Sequence, residues 1–313
     1  MAPDPTAIRA PRALFIKLGT GGDWEADCIA RGELRLGYHE VSHAACVAGD
    51  WTQVDEGLRT TTRDAGALTR HLNQVREFYE AGEDVLWITF FSDRLWWCRA
   101  HRGVTQHPNG DKTRAVIGAW SDQDLAGAPL LKGRLSGKLL ALQMYRGTIC
   151  SVGDLSYLLH KINATAEPHV AQAQAAFEQL QQALHPIIRA LHPSDLEILV
   201  DLVFRQAGWQ RVGVSGGTEK DIDLDLISLV TGERIAVQVK ADTRVSEWRA
   251  YREKYQRTRS YSRFYFVTHC DRPELLEAVR QSEDASYVFW GIDQIAAQAV
   301  RGGLTGWLLD KAS

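Results

Sequence analysis

Between Ala65 and Ala81, Leu68, Leu72, Val75 and Phe78 recur among polar neighbours at the three-to-four spacing of a helix with one apolar stripe. Asp84 to Phe91 and Arg94 to Ala100 read instead as two strands joined through Phe91-Ser92-Asp93-Arg94, since Val85 to Phe90 and Leu95 to Cys98 are rich in aromatic and β-branched side chains. A shorter apolar run, Ala13 to Lys17, predicts a strand that turns at Gly19, Gly21 and Gly22 and leaves through Asp23-Trp24-Glu25. From Pro168 to Ala190 the chain is rich in Ala, Gln and Leu, with Phe177, Leu180, Leu184, Ile187 and Ile188 at helical spacing. This predicts a connecting helix, and Pro186, which lacks a donor and crowds the preceding turn, should kink it or start a second segment. Beyond it, Ser194 is placed to cap a helix running to Phe204 and closed by Gly208. An alternating strand from Asp221 to Val230, a turn at Thr231-Gly232-Glu233 and a second strand from Arg234 to Lys240 read as a hairpin. A helix from Ser246 to Arg259, a strand from Arg263 to Thr268 and a helix from Pro273 to Val279 follow. The order α, β, β, α, β predicts a small mixed α/β domain behind a β-rich N-terminal one.

The 313 residues suffice for two modest domains, and 45% hydrophobic with 24% charged residues excludes disordered and collagen-like chains. A net charge of −3, from 36 basic and 39 acidic residues, gives no global field for a polyanion, so any nucleic-acid surface must be local. Five scattered cysteines without a CxxC pair argue against a zinc site or a disulfide framework. With no secretory apolar segment and no run of 18 apolar residues, the expectation is a soluble cytoplasmic protein, in which the Asn163 sequon has no meaning. GTGGDW lacks the lysine of a phosphate-binding loop, so its glycines are read as turning the chain. His39 and His43 stand four apart without a third ligand, and Cys98 and Cys150 sit among apolar residues as small buried hydrophobes. Tryptophan is abundant at 10, and six of these precede the connecting helix.

Candidate chemistry lies in the hairpin. Asp221, Asp223 and Asp225 alternate and so share one strand face, as do Gln238 and Lys240. A pairing in which these faces coincide gathers oxygen ligands and an ammonium, a set suited to metal-assisted phosphodiester cleavage; the alternative is the solvated face of an edge hairpin. Leu196-Glu197, Phe204, Gly208-Trp209, Gly216-Gly217, Lys220-Asp221-Ile222-Asp223 and Ile235-Ala236-Val237-Gln238-Val239-Lys240-Ala241 together resemble the PD-(D/E)xK nuclease superfamily, and within it the Mrr-like restriction endonucleases, which carry glutamine at the second acidic position. The resemblance implies a restriction-endonuclease-like α/β domain over 191–313. It implies Asp223 as principal ligand of Mg²⁺ or Mn²⁺, Gln238 and Glu197 as further ligands, and Lys240 as the catalytic lysine. Asp221 stands where that family has glycine and is assigned a supporting place beside the site. The basic run after the hairpin, with Arg249, Arg252, Lys254 and Arg257, fits contact with a duplex backbone, the alternative being a solvated helix face.

In the N-terminal half, Leu14 to Gly19, Trp24-Glu25, Leu86 to Phe90, Leu95-Trp96-Trp97, Leu135 to Leu139 and Gly147 to Cys150 resemble PUA-like reader domains of the EVE and YTH type. That resemblance implies a β-rich barrel over 1–165 that takes a modified base into an aromatic pocket, with Trp24 and Trp96 as its candidate walls and 166–190 as the connecting helix. The fold expected is thus α+β, a PUA-like barrel joined by a helix to a nuclease domain. The function implied is modification-dependent restriction of foreign or phage DNA, cutting double-stranded DNA as a homodimer or higher oligomer away from any membrane. Two rival readings are an anti-phage effector nuclease switched on by a nucleotide second messenger and a non-catalytic nucleic-acid-binding module.

Overall fold

The computed structural model describes residues 7–212, 222–258, 261–282 and 284–312, and the chain divides into two units, 1–168 and 169–313. In the first unit, strand β1 (Ala13–Ile16) is followed by α1 (Glu25–Arg31), β2 (Glu33–Leu36), α2 (His43–Ala48), α3 (Trp51–Arg59) and α4 (Ala65–Glu80). Then come β3 (Leu86–Phe91), β4 (Arg94–Cys98), β5 (Ala100–Gln106), β6 (Lys112–Val116), α5 (Gly137–Leu140), β7 (Ile149–Ser151) and α6 (Leu155–Ile162). One sheet has the order β4-β3-β1-β7, with β1 and β3 parallel at its centre; the other is β2-β6-β5. Central strands are covered on both faces, which is why β1 is an unbroken apolar run and β3 is apolar but for the buried Thr89. Alternation sends Leu14, Ile16 and Trp87 into one core with Phe78, and Ala13, Phe15, Leu86, Ile88 and Phe90 into another with Leu158 and Ile162. Ser92 and Asp93, at φ 49° and 62°, make the two-residue turn that joins β3 to β4.

The barrel expected of this half is not closed: among the described residues the two sheets remain separate. The outer edge of β4 takes its partners from an irregular segment, Trp97 N–H donating to Ser121 O (2.8 Å) and Leu95 N–H to Leu130 O (2.9 Å). A loop therefore satisfies the edge that a closing strand would have used.

The second unit contains α7 (Pro168–Ala190), whose first residue is the last of the first unit, then α8 (Pro193–Gln206), β8 (Trp209–Arg211), β9 (Leu224–Ser228), β10 (Arg234–Lys240) and α9 (Val245–Thr258). It ends with β11 (Arg263–Thr268), α10 (Pro273–Arg280), β12 (Tyr287–Trp290), α11 (Ile292–Arg301) and α12 (Thr305–Ala312). Five strands form one sheet, β12-β11-β10-β9-β8, parallel from β10 to β12 and antiparallel from β10 to β8. On one face Leu224, Leu226, Ile235, Val237 and Val239 pack against α7, α8 and α11; on the other Ala236, Phe264 and Phe266 pack against Trp248 and Tyr255 of α9 and Leu275 of α10. Helix α8 buries Leu196, Leu199, Val200, Val203 and Phe204, the stripe that earned it its place in the sequence. Its cap is His192, two residues before the expected Ser194, because Pro193 already supplies the first helical turn. Helix α7 continues through Pro186 as one element. No helix among the described residues is long and apolar enough to cross a membrane.

Candidate functional site

The β9–β10 register pairs Ala236 with Asp225 and Val237 with Leu224, so the next rung sets Gln238 level with Asp223. Leu224 and Leu226 face the α8 side, and alternation turns Asp223 toward the α9 side that Ala236 and Gln238 share. There the Gln238 amide donates to Asp223 Oδ2 (2.5 Å), and the Val239 N–H donates to the same oxygen (2.7 Å). Asp223 is also held by its backbone: its N–H donates to Val237 O (3.0 Å) and its carbonyl accepts from the Arg211 guanidinium (2.7 Å). Burial pushes the Asp223 carboxyl above the ordinary aspartate range, opposed by the Val239 N–H, Lys240, Gln238 and Arg211.

Glu197, on an exposed position of α8, is likewise raised, first by desolvation and then by the charge of Asp223, which places the two carboxylates within electrostatic reach. Lys240 stands 5.6 Å above the Tyr251 ring and 3.9 Å from the Glu247 carboxylate. Burial works against its charge, but Tyr251, Glu247 and Asp223 together outweigh that and raise its pKa, so it is an ammonium at neutral pH. Asp223, Gln238, Lys240 and Glu197 thus form one neighbourhood. Asp225 is drawn elsewhere, onto Arg234 (2.5 Å), and Asp221 lies outside the described residues. Arg211, Glu247 and Tyr251 were missed by sequence reasoning; they arrive from β8 and α9 by packing, and their spacing carries no signal.

Among the described residues no group of three or more His, Cys, Asp or Glu could hold a metal ion. The donor set here is two carboxylates and an amide, and the amide is the informative member. Gln238 is 3% exposed, and its Oε1 is buried without a hydrogen-bond partner among the described residues. A buried carbonyl oxygen left unmet beside a carboxylate fits a hard divalent cation.

On α9, Arg249, Lys254 and Arg257 are exposed, Arg257 lying 4.0 Å from Glu253. Arg252 is half-buried with its guanidinium 5.9 Å over Trp248. The four are therefore not one outward-facing set.

A cavity of about 440 Å³ opens in the first unit, with Trp24, Tyr38, His71, Lys17, Glu40 and Thr148 in its wall. The glycine turn makes room for the indole: Gly19 has φ +85°, and a Cβ there would fall 2.9 Å from Trp24 Cγ. Tyr38 Oη and His71 Nδ1 are hydrogen-bonded at 2.7 Å, and burial raises the Tyr38 phenol to about 12, so tyrosine keeps its proton. Buried Gln74 supports the wall at Thr148, its Oε1 accepting from the N–H groups of Thr148 and Ile149. Trp96, the other expected wall, does not line the cavity: it packs on the core and its indole N–H donates to Phe91 O (3.2 Å). His39 and His43 do not share an ion, since one bonds Asp111 and the other Tyr79.

No family model and no curated protein matches the chain. Among solved structures it is similar to the DNA modification-dependent restriction endonuclease AspBHI, at 16% identity and a TM-score of 0.29 over 80% of this chain and 76% of that one. It is also similar to the MspJI restriction endonuclease in complex with a 27-mer oligonucleotide, at 15% identity and a TM-score of 0.27 over 97% of this chain and 80% of that one.

Proposed function

We propose that this chain is a modification-dependent DNA endonuclease: its second unit, of PD-(D/E)xK type, hydrolyses phosphodiester bonds, and its first, a PUA-like reader without a closed barrel, selects DNA by a modified base. The observation that carries the reading is the hairpin site, where Asp223 is bonded to a glutamine whose own oxygen is buried and unmet among the described residues, with an ammonium and a second carboxylate in reach. Asp223, Gln238 and Glu197 would hold Mg²⁺ or Mn²⁺, which supplies Lewis-acid polarisation of the scissile phosphate. Lys240, kept protonated by Tyr251 and Glu247, orients the attacking water and offsets the negative charge that grows on the phosphate. Arg211 neutralises the paired carboxylates from the side of β8. In the first unit, Trp24, whose ring carries the Arg35 guanidinium 5.5 Å from its centre, stands in the wall of the cavity that would take a base swung out of the duplex. Cutting both strands needs two such sites, hence a homodimer or larger assembly, and the cellular role is defence against foreign or phage DNA.

The test compares wild-type protein with Asp223→Ala and Lys240→Ala on plain, methylated, hydroxymethylated and glucosylated DNA. Both variants should fold and lose cleavage by about 10²-fold or more, the scale on which removed charge-stabilising groups act. Chelator should abolish wild-type cutting, and only modified DNA should be cut. Full activity in either variant sinks the assignment.

A further inference from the structure

Lys112 opens β6 and is completely buried, an unusual place for a lysine without a carboxylate partner. It makes no ion pair among the described residues. The neighbouring carboxylate, Asp111, is taken by His39 at 2.7 Å and by Asn109 at 2.8 Å. The Lys112 ammonium instead donates to two backbone carbonyls, those of Gly37 (3.3 Å) and Tyr38 (2.5 Å). Both residues belong to the wall of the cavity that holds Trp24.

Tyr38 has φ +53°, in the left-handed region that a bulky residue enters only when its surroundings compel it. What compels it is visible on both sides. Strand β2 ends one rung level with Lys112, Leu36 pairing with it, so the chain leaves the sheet directly onto the ammonium. At the far end of the side chain, the phenol is tied to His71. A buried charge is seldom worth more to stability than an apolar group of its size. What this one adds is a direction for two carbonyls, and with it a place for the tyrosine ring.

We propose that Lys112 is a positioning residue for base recognition, holding Tyr38 in the cavity wall so that an extrahelical base finds a second ring besides Trp24. The inference rests on the reading of the cavity as a base pocket, and one experiment separates the two. The full chain, in chelator so that nothing is cut, is titrated with short duplexes carrying one 5-methylcytosine, 5-hydroxymethylcytosine, glucosylated hydroxymethylcytosine or N6-methyladenine, and with the plain duplex. Wild type, Trp24→Ala, Lys112→Met and Tyr38→Gly are compared, each with its thermal unfolding curve.

Lys112→Met, which leaves the Gly37 and Tyr38 carbonyls without their donor, should unfold below the wild-type temperature yet stay folded under the titration conditions, and bind the preferred modified duplex about tenfold more weakly, the scale of one lost stacking contact, with plain DNA unaffected. Tyr38→Gly, which removes a ring packed against two cores, should also unfold below wild type and show the same selective loss on the modified duplex. Unchanged binding by both, beside a Trp24→Ala variant that has lost the preference, overturns the role of Lys112 and leaves the pocket standing. Binding of the modified and the plain duplex that falls by the same factor also overturns it. A wild-type protein that does not distinguish the duplexes, or a Trp24→Ala variant that still does, overturns the pocket and the role of Lys112 together.

Discussion

Asp223 is a buried carboxyl whose ionisation works against the fold. Its carboxyl is pushed above the ordinary value of 3.8 by burial, so the native chain holds that proton more tightly than the unfolded one does. The ionised side chain therefore destabilises the fold, not at all below about pH 3.8 and fully once the pH has passed the raised native value. Asp223→Asn keeps an oxygen to accept from Val239 N–H and Gln238 while removing the charge. In chelator its unfolding temperature should exceed that of wild type at neutral pH, and the gain should shrink to nothing in acid. A gain that is constant with pH would mean that packing, and not ionisation, separates the two proteins. Because Asp223 also raises Glu197, the same variant should lower the Glu197 pKa, which carboxyl titration by NMR would follow.

Helix α9 is where one string of basic residues becomes two kinds of contact. Trp248, Tyr251 and Tyr255 face the sheet, and Arg252, one step after Tyr251, is carried inward over the Trp248 ring. Arg249 and Arg257 stay exposed. If α9 follows a duplex backbone, Arg249→Ala and Arg257→Ala should each reduce the slope of log affinity against log salt by about one. Arg252→Ala should leave the slope alone and lower the unfolding temperature through lost packing. Equal slopes for all three variants would show that the side toward the sheet matters as much as the exposed one. The difference was not legible in the sequence, where arginines at 249, 252 and 257 look alike. The hairpin was more legible, since period-two alternation and a short turn suffice to set Asp223 beside Gln238. Trp24, expected from the resemblance and not from the glycines before it, does stand in the cavity wall. Trp96 misled because its composition announces a strand but not which side of it is covered. Tyr38 comes to the cavity from just past β2, His71 from α4 and Thr148 from just before β7, positions far apart in sequence that only the fold brings together.

Each unit of the chain has its own sheets and cores, and each carries one of the two candidate sites. Selection and chemistry should therefore separate under mutation. Effects at sites with no shared partners add to within about 0.3–0.5 kcal/mol, roughly a factor of two in an equilibrium constant. Lys240→Ala should abolish cutting of every substrate while the ratio of affinities for modified and plain duplex, measured in chelator, stays within about twofold of wild type. Trp24→Ala should do the reverse, losing that ratio while the cutting rate on saturating DNA changes little. The double variant should show the binding of one and the cutting of the other. The rival in which a nucleotide second messenger occupies the cavity predicts a different table of results: Trp24→Ala would then abolish cutting on all DNA alike, because the activator and not the substrate would need the indole. A cutting rate in Trp24→Ala that collapses on plain and modified DNA together, and a wild-type protein that cuts plain DNA once a nucleotide is added, would move the tryptophan from reading the substrate to receiving the signal.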